Sequence, residues 1–314
     1  MEVLLLSADE VASLLEPDAL LEALRAAFIA LSTGQAAVPP RTAATAPAGL
    51  LAAMPGWLAG AGLGIKAVSV FAGNHELGLP SHQAVIVLVD DGTGAPLALL
   101  DGTHITAART ASAAALSADT LARPDARVLA VLGAGVQGAA HLEHVRRVRS
   151  FTEVRLASRT AEHAQALAAA HPGVAVAESF EAAVRGADVV CCCTHSAQPV
   201  LRREWLAAGA HLTSVGASPD GPELDVATVA ASRLFVESRV AFRPFPAGAH
   251  ELQGFDPDSA AELGEVLAGI RTGRGDDGEL TLYKSMGHAV EDLAAARLVY
   301  DAALAEGRGR RVTL

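Results

Sequence analysis

The sequence predicts an α/β chain in two parts: a doubly wound parallel sheet, preceded by an α+β part with an antiparallel sheet. Three observations carry that expectation. An apolar run at 127–132 leads straight into Gly133-Ala134-Gly135-Val136-Gln137-Gly138, with a helix-compatible stretch at 139–148 behind it. After this point strand-like and helix-like segments alternate, as a doubly wound sheet requires. Before it, two extended segments are joined by Asp90-Asp-Gly-Thr-Gly94, strong turn chemistry for a hairpin. A length of 314 residues accommodates two domains, and 51% apolar residues supply ample core.

The elements follow in order. Ser7-Ala-Asp-Glu10 has the spacing of a capping box and opens a short helix. A second helix is expected over 17–33, with Pro17 near its first position and Gly34 as its stop. Extended segments are expected near 64–71, 83–89 and 96–100, then a long alanine-rich helix near 103–121. Arg123-Pro124-Asp125 reads as a hinge. Further strands are expected at 153–157, 174–177, 187–193, 211–215, 234–237 and 280–283. Residues 239–277 are looser, rich in Gly, Pro and acid. A final helix over about 287–305 is too long for a simple tail. The expected domains are 1–120, joined by the C-terminal helix 290–314, and 121–289.

Composition excludes several classes. The formal charge is −11, and the only basic cluster is the short Arg308-Gly-Arg-Arg311, so nucleic acid is not an expected partner. Residues 1–7 do not make a signal peptide, and no apolar stretch reaches the roughly 18 residues of a membrane span. Cys191, Cys192 and Cys193 are consecutive. Neighbours in a strand point to opposite faces, so they read as small buried residues rather than a disulfide or a zinc knuckle. A cytoplasmic protein without a metal is expected.

The glycine run is a dinucleotide site of the Rossmann kind. Gly133 makes the tight turn, Gly135 lets backbone approach a pyrophosphate, and Gly138 packs helix on strand. The helix start at Val136 and Gln137 presents free N–H groups to phosphate. An NAD site usually has an acid about 20 residues on, to hold the ribose 2′-OH. Here the tip of the second strand carries Ser158, Arg159 and Thr160. An arginine fork and two hydroxyls suit a 2′-phosphate, so NADP is expected, with NAD possible. The alternative is that Arg159 is an ordinary exposed arginine and Thr160 only the N-cap of the next helix.

Three cations stand in unusual settings. Arg41 follows two prolines, Lys66 sits inside an apolar strand, and Arg109 lies on the alanine-rich helix. Such groups are costly to bury unpaired. No fixed acidic partner is evident in the sequence, so a substrate carboxylate or phosphate is their expected counter-charge. Arginine binds carboxylates bidentately, and a buried lysine can act as an acid.

Pro40-Arg41, Met54-Pro55, Gly64-Ile-Lys66, Thr93-Gly-Ala-Pro-Leu97, Thr106-Ala-Ala-Arg109-Thr110-Ala111, Gly133 to Gly138, Val215-Gly216-Ala-Ser218-Pro-Asp-Gly-Pro-Glu223-Leu-Asp225 and Tyr283-Lys-Ser285-Met-Gly287-His-Ala-Val-Glu291-Asp292 occur in this order. Together they resemble the ornithine cyclodeaminase/mu-crystallin family over almost the whole chain. The resemblance implies a homodimer built by the first domain and a nicotinamide held between the domains. It implies that Arg41, Lys66 and Arg109 bind the substrate carboxylate, Lys66 also serving as proton donor. Thr110 and Ala111 would lie near the pyrophosphate. Thr194 and the turn Val215 to Ser218 would flank the nicotinamide, and Ser285 to Gly287 would close the site.

Two departures from the cyclodeaminase pattern bear on substrate. Ser218 stands where cyclodeaminases carry an aspartate for the distal amine, with Asp220 two residues on. Ala52 falls near the position of a glutamate that helps hold ornithine, and no Asp or Glu lies between Arg41 and Lys66. The expectation is therefore an NAD(P)H-dependent reductase of small cyclic ketimines or imino acids, of the Δ1-pyrroline-2-carboxylate type. The alternatives are ornithine cyclodeaminase, an alanine-dehydrogenase-like enzyme, and a binding protein with vestigial chemistry.

Overall fold

The computed structural model describes residues 2–218 and 220–313, with the side chain of residue 75 left aside. Pro219 of the turn motif lies outside the described residues, as do the two terminal residues of the expected first domain. The chain opens with β1 (Glu2–Leu6), α1 (Ala8–Leu14) and α2 (Pro17–Ser32). Strands β2 (Ala36–Ala37), β3 (Thr42–Ala46), β4 (Gly49–Leu58), β5 (Gly62–Val70), β6 (His82–Val89) and β7 (Pro96–Asp101) follow, then α3 (Gly102–Leu121). The next stretch holds β8 (Val128–Leu132), α4 (Val136–Val148), β9 (Glu153–Ala157), α5 (Ala161–Ala170), β10 (Val174–Val176), α6 (Phe180–Val184) and β11 (Val189–Cys192). After it come β12 (His211–Ser214), α7 (Val226–Ala231), β13 (Ser232–Val236), β14 (Ala261–Glu262), α8 (Leu263–Leu267) and β15 (Leu280–Lys284). The chain closes with α9 (Ala289–Glu306) and β16 (Arg310–Thr313).

Two compact units result. One holds Met1–Arg109 and His288–Leu314, the other Thr110–Gly287. The division falls inside α3, whose two halves make their contacts in different units. Thr106 accepts from Lys66, whereas Ser117 meets His211. The C-terminal helix belongs with the first unit, which takes it from His288.

In the first unit, the sheet order is β16-β1-β7-β6-β5-β4-β2, with β3 also on β4. All pairings are antiparallel except β1 with β7. Alternation sorts the faces. Ala52, Met54, Gly64, Lys66, Val68, Ala84 and Ile86 point inward, and Leu51, Leu63, Val85 and Leu99 point out. Helix α9 lies on the inner face. A Cβ on Gly64 would stand 2.6 Å from Leu293 Cδ2, so glycine is what allows that close approach. Ser7 and Glu10 form the expected capping box of α1.

In the second unit the strands run β10-β9-β8-β11-β12-β15-β13-β14, all parallel. The core lies between sheet and helices and includes Leu132, Val190, Cys192, Leu212, Val236 and Leu282. Burial raises the thiol pKa of Cys191 to about 12 and those of Cys192 and Cys193 well above the usual value, so these cysteines are packing groups. No helix among the described residues is long and apolar enough to cross a membrane.

Candidate active site

The candidate nucleotide cradle is the β8–α4 turn. Gly133 has φ +115°, a conformation for which glycine is suited, and a Cβ there would stand 2.6 Å from Cys193 O and 3.4 Å from Thr194 Cγ2. Gly135 is the N-cap of α4, and nothing stands within 4 Å of a Cβ built on it. A Cβ on Gly138 would run into the carbonyl of Gly133, which is the packing role expected of that glycine. No side chain caps α4, and Val136 is 68% exposed. The start of this 13-residue helix thus has no side-chain cap and open space beside Gly135, which fits a pyrophosphate. Gln137 accepts the ring N–H of His141 with its backbone oxygen. Burial lowers the His141 pKa to about 4, which leaves the ring neutral.

Arg159 is exposed after the end of β9, with Ser158 and Thr160 half-buried on either side. Ser158 Oγ accepts from the Thr160 N–H at 3.4 Å. Thr160 is the N-cap of α5, yet its side chain makes no capping hydrogen bond.

The first unit brings Lys66 and Arg109 together around an acidic pair that stands far from them in the sequence, with Arg41 near enough to act on Lys66 electrostatically. Lys66 is only 2% exposed, and its Nζ donates to Asp292 Oδ1 at 2.8 Å and to Thr106 Oγ1 at 3.4 Å. Arg109 Nε donates to the same Asp292 oxygen at 3.0 Å, and its Nη1 reaches Glu291 Oε2 at 3.2 Å. The expectation of no fixed acidic partner is thus corrected. The partners come from the first turn of α9, where carboxylates also suit the helix N-terminus. Arg109 is accordingly not a whole fork offered to substrate, since two of its nitrogens are engaged by the protein.

Burial is the largest cause lowering the pKa of Lys66 to about 8, and the positive charge of Arg109 adds to it. Asp292 acts in the opposite sense, and Arg41 contributes a smaller lowering. The same cations hold Asp292 below its usual pKa against its own desolvation. Asp292 Oδ2 is buried with no hydrogen-bond partner among the described residues. A buried acceptor of that kind suits a ligand N–H or a water. Ala52 is buried on the same inner face, so a methyl group occupies the position without its acid.

In the second unit, Thr194 follows β11, and Val215 and Gly216 follow β12. Glu223, which the sequence shows only as part of a longer motif, bonds to both of these segments. Ser218 is buried, and its Oγ accepts from the Asp220 N–H at 3.1 Å, while Asp220 itself is exposed. Ser285 is buried; Gly287 has φ +72° and donates to Glu237 at 2.8 Å. Thr110 is buried at the start of the second unit. Asp292 and Glu291 had one signal in the sequence, an acidic pair opening a helix just after a glycine.

The family model for the ornithine cyclodeaminase/mu-crystallin family matches residues 1–307. This chain belongs to that family. Ketimine reductase mu-crystallin of Mus musculus is 41% identical over 305 residues, covering 94% of this chain and 96% of the relative. A Δ1-pyrroline-2-carboxylate reductase of Bacillus cereus is 34% identical, covering 80% of each chain. Among solved structures, the Thermococcus litoralis Δ1-pyrroline-2-carboxylate reductase in complex with NADH and L-proline aligns with a TM-score of 0.94. It is 34% identical and covers 99% of this chain and 100% of that one. An archaeal alanine dehydrogenase dimer with bound NAD aligns at 0.92 with 31% identity, all of both chains being covered.

Proposed function

We propose that this family member is an NAD(P)H-dependent reductase of small cyclic ketimines or imino acids, of the Δ1-pyrroline-2-carboxylate type. The observation that carries the reading is Lys66: a buried ammonium held by Asp292, with its pKa lowered toward neutrality by burial and by Arg109. Lysine has three N–H donors. Two are used on Asp292 and Thr106, which leaves one for a substrate imine nitrogen.

Arg41 and Arg109 supply the positive charge that holds the substrate carboxylate, with Arg109 fixed in place by Glu291 and Asp292. Lys66 gives its proton to the imine nitrogen, and Asp292 stabilises the ammonium before transfer. The nicotinamide cofactor, when bound at Gly133 to Gly138, supplies the hydride that reaches the imine carbon. One hydride at carbon and one proton at nitrogen turn the C=N bond into a secondary amine. Ala52 and Ser218 offer no counter-charge to a second ammonium, which favours a cyclic imine over ornithine. Similarity to the reductases named above supports the same choice.

Arg159 with Ser158 and Thr160 favours NADP, while the NAD and NADH complexes of the structural neighbours keep NAD as an accepted cofactor. The outward apolar face of Leu51, Leu63, Val85 and Leu99 supports a homodimer, as does the alanine dehydrogenase dimer. Three buried free thiols accord with a reducing, cytoplasmic setting.

The test is oxidation of NADPH and NADH against a panel of cyclic ketimines, and of 2-oxo acids with ammonia. Ornithine with NAD serves as the lyase control. Reduction of a cyclic ketimine is the expected result. Ammonia release from ornithine without ketimine reduction would replace this reading by the lyase.

A further inference from the structure

The second unit contains a buried polar cluster that the chemistry above does not use. Glu223 is 2% exposed, and its carboxylate accepts four hydrogen bonds. Oε1 takes the backbone N–H of Thr194 at 2.6 Å and the Thr194 hydroxyl at 2.7 Å. Oε2 takes the Ser214 hydroxyl at 2.7 Å and the backbone N–H of Gly216 at 2.9 Å. One oxygen thus holds the end of β11 and the other the end of β12. Lys284 lies behind them, donating to Ser214 Oγ at 3.0 Å, to the Gly216 carbonyl, and to Glu251 at 3.1 Å. Glu251 in turn accepts the Glu223 N–H at 3.1 Å.

The position of this clasp matters. In a doubly wound sheet the ligand lies outside the carboxyl ends of the strands, where the order reverses. Here the reversal is between β8 and β11, and Thr194 already packs beside the Gly133 turn. The Gly216 site admits no side chain, because a Cβ would meet Thr194 O and the Glu223 carboxyl. Ser218 lies two residues further along the same turn.

We propose that Glu223 is a positioning residue that sets the spacing of the β11 and β12 ends and thereby the seat of the nicotinamide ring. The proposal rests on the nicotinamide cofactor assigned above. It distinguishes a carboxylate from an amide of the same shape. All four groups donate to Glu223, and two are backbone N–H groups that cannot reverse. In Glu223→Gln, either orientation of the amide turns an NH2 against the N–H of Thr194 or of Gly216. One strand end is then released.

Calorimetric titration of the full-length protein tests this with two pairs of probes: NADH against ADP-ribose, and NADPH against 2′-phospho-ADP-ribose. The truncated probes keep the pyrophosphate and adenosine but lack the ring. For Glu223→Gln the intact dinucleotide is expected to bind about tenfold more weakly, the scale of a lost charge-assisted hydrogen bond, with the truncated probe unchanged within about twofold. The emission of bound NADH, which reports the surroundings of the ring, should move toward that of free NADH. Ser214→Ala removes one of the four donors and should shift the same ratio by a smaller factor. It carries the test if Glu223→Gln does not fold. Equal effects on both members of a pair, or none on either, would overturn the positioning role. Wild-type protein that binds neither dinucleotide would instead overturn the cofactor assignment, and this proposal with it.

Discussion

Lys66 Nζ lies 2.8 Å from Asp292 Oδ1, although 226 positions separate the two residues in the chain. Both are buried to within 2% of full exclusion from solvent. A buried pair of this kind is a weak source of net stability, because desolvation offsets attraction. Under the proposed reaction its value is chemical: it keeps an ammonium inside an apolar sheet, ready to release a proton.

Replacing Lys66 by Met keeps most of the side-chain volume and removes the proton. The kcat for ketimine reduction should fall by about 10²- to 10⁴-fold, the range for a lost general acid. Dinucleotide affinity, read by calorimetry, should hardly change, since the Gly133 to Gly138 cradle belongs to the other unit. A kcat within about threefold of wild type would remove Lys66 from the proton-donor role.

The pH profile follows from the same group. With its pKa near 8, Lys66 carries its proton below that pH and loses it above. Reduction consumes the proton. The reductive kcat/KM should therefore be level on the acid side and fall about tenfold per pH unit well above 8, while the reverse oxidation gains over the same range. Asp292 raises the pKa of Lys66, so Asp292→Asn should move the alkaline limb toward lower pH. Losing one partner of a buried pair should also lower stability by about 3–5 kcal/mol, seen as a lower Tm.

Cofactor choice can be read at Arg159. Its substitution by Ala should weaken NADPH binding about ten- to a hundredfold and leave NADH unaffected, the loss expected for a charge-assisted phosphate contact. Equal losses for both dinucleotides in a fluorescence titration would assign Arg159 to another purpose.

The outer face of the first sheet predicts assembly. Leu51 is 53% exposed and Val85 46%, and Ala53, Ala67 and Val85 line up across adjacent strands. Sedimentation should give a dimer at micromolar concentration, and the double variant Leu51→Glu, Val85→Glu should give a folded monomer. Monomeric wild type would exclude this face as the interface.

Much of the second unit was legible because its signals are local. The glycine turn and the strands at 153–157 and 211–215 each depend on neighbours a few positions apart, as does the Ser7 capping box in the first unit. The first unit was less so. Strands β3 and β4 are rich in Ala and Gly, and β4 contains Pro55, so their own propensity for strand is weak. They are strands because β4 pairs with β5 along its length and packs its inner face under α9. The segment Glu2–Leu6, to which the sequence assigns no element, is likewise a strand because β7 and β16 flank it.

The site divides in the same way. Sequence alone picked out the glycine turn and the cations Arg41, Lys66 and Arg109, which are matters of residue type and short spacing. The missing acids at Ala52 and Ser218 were visible only through the resemblance to the cyclodeaminase pattern. Tertiary structure decided which carboxylates face those cations, that Arg109 is partly engaged by them, and that Glu223 joins two strand ends. Each depends on residues distant in sequence meeting in a dry interior. There burial sets the pKa of Lys66, and every unpaired donor or acceptor carries a cost.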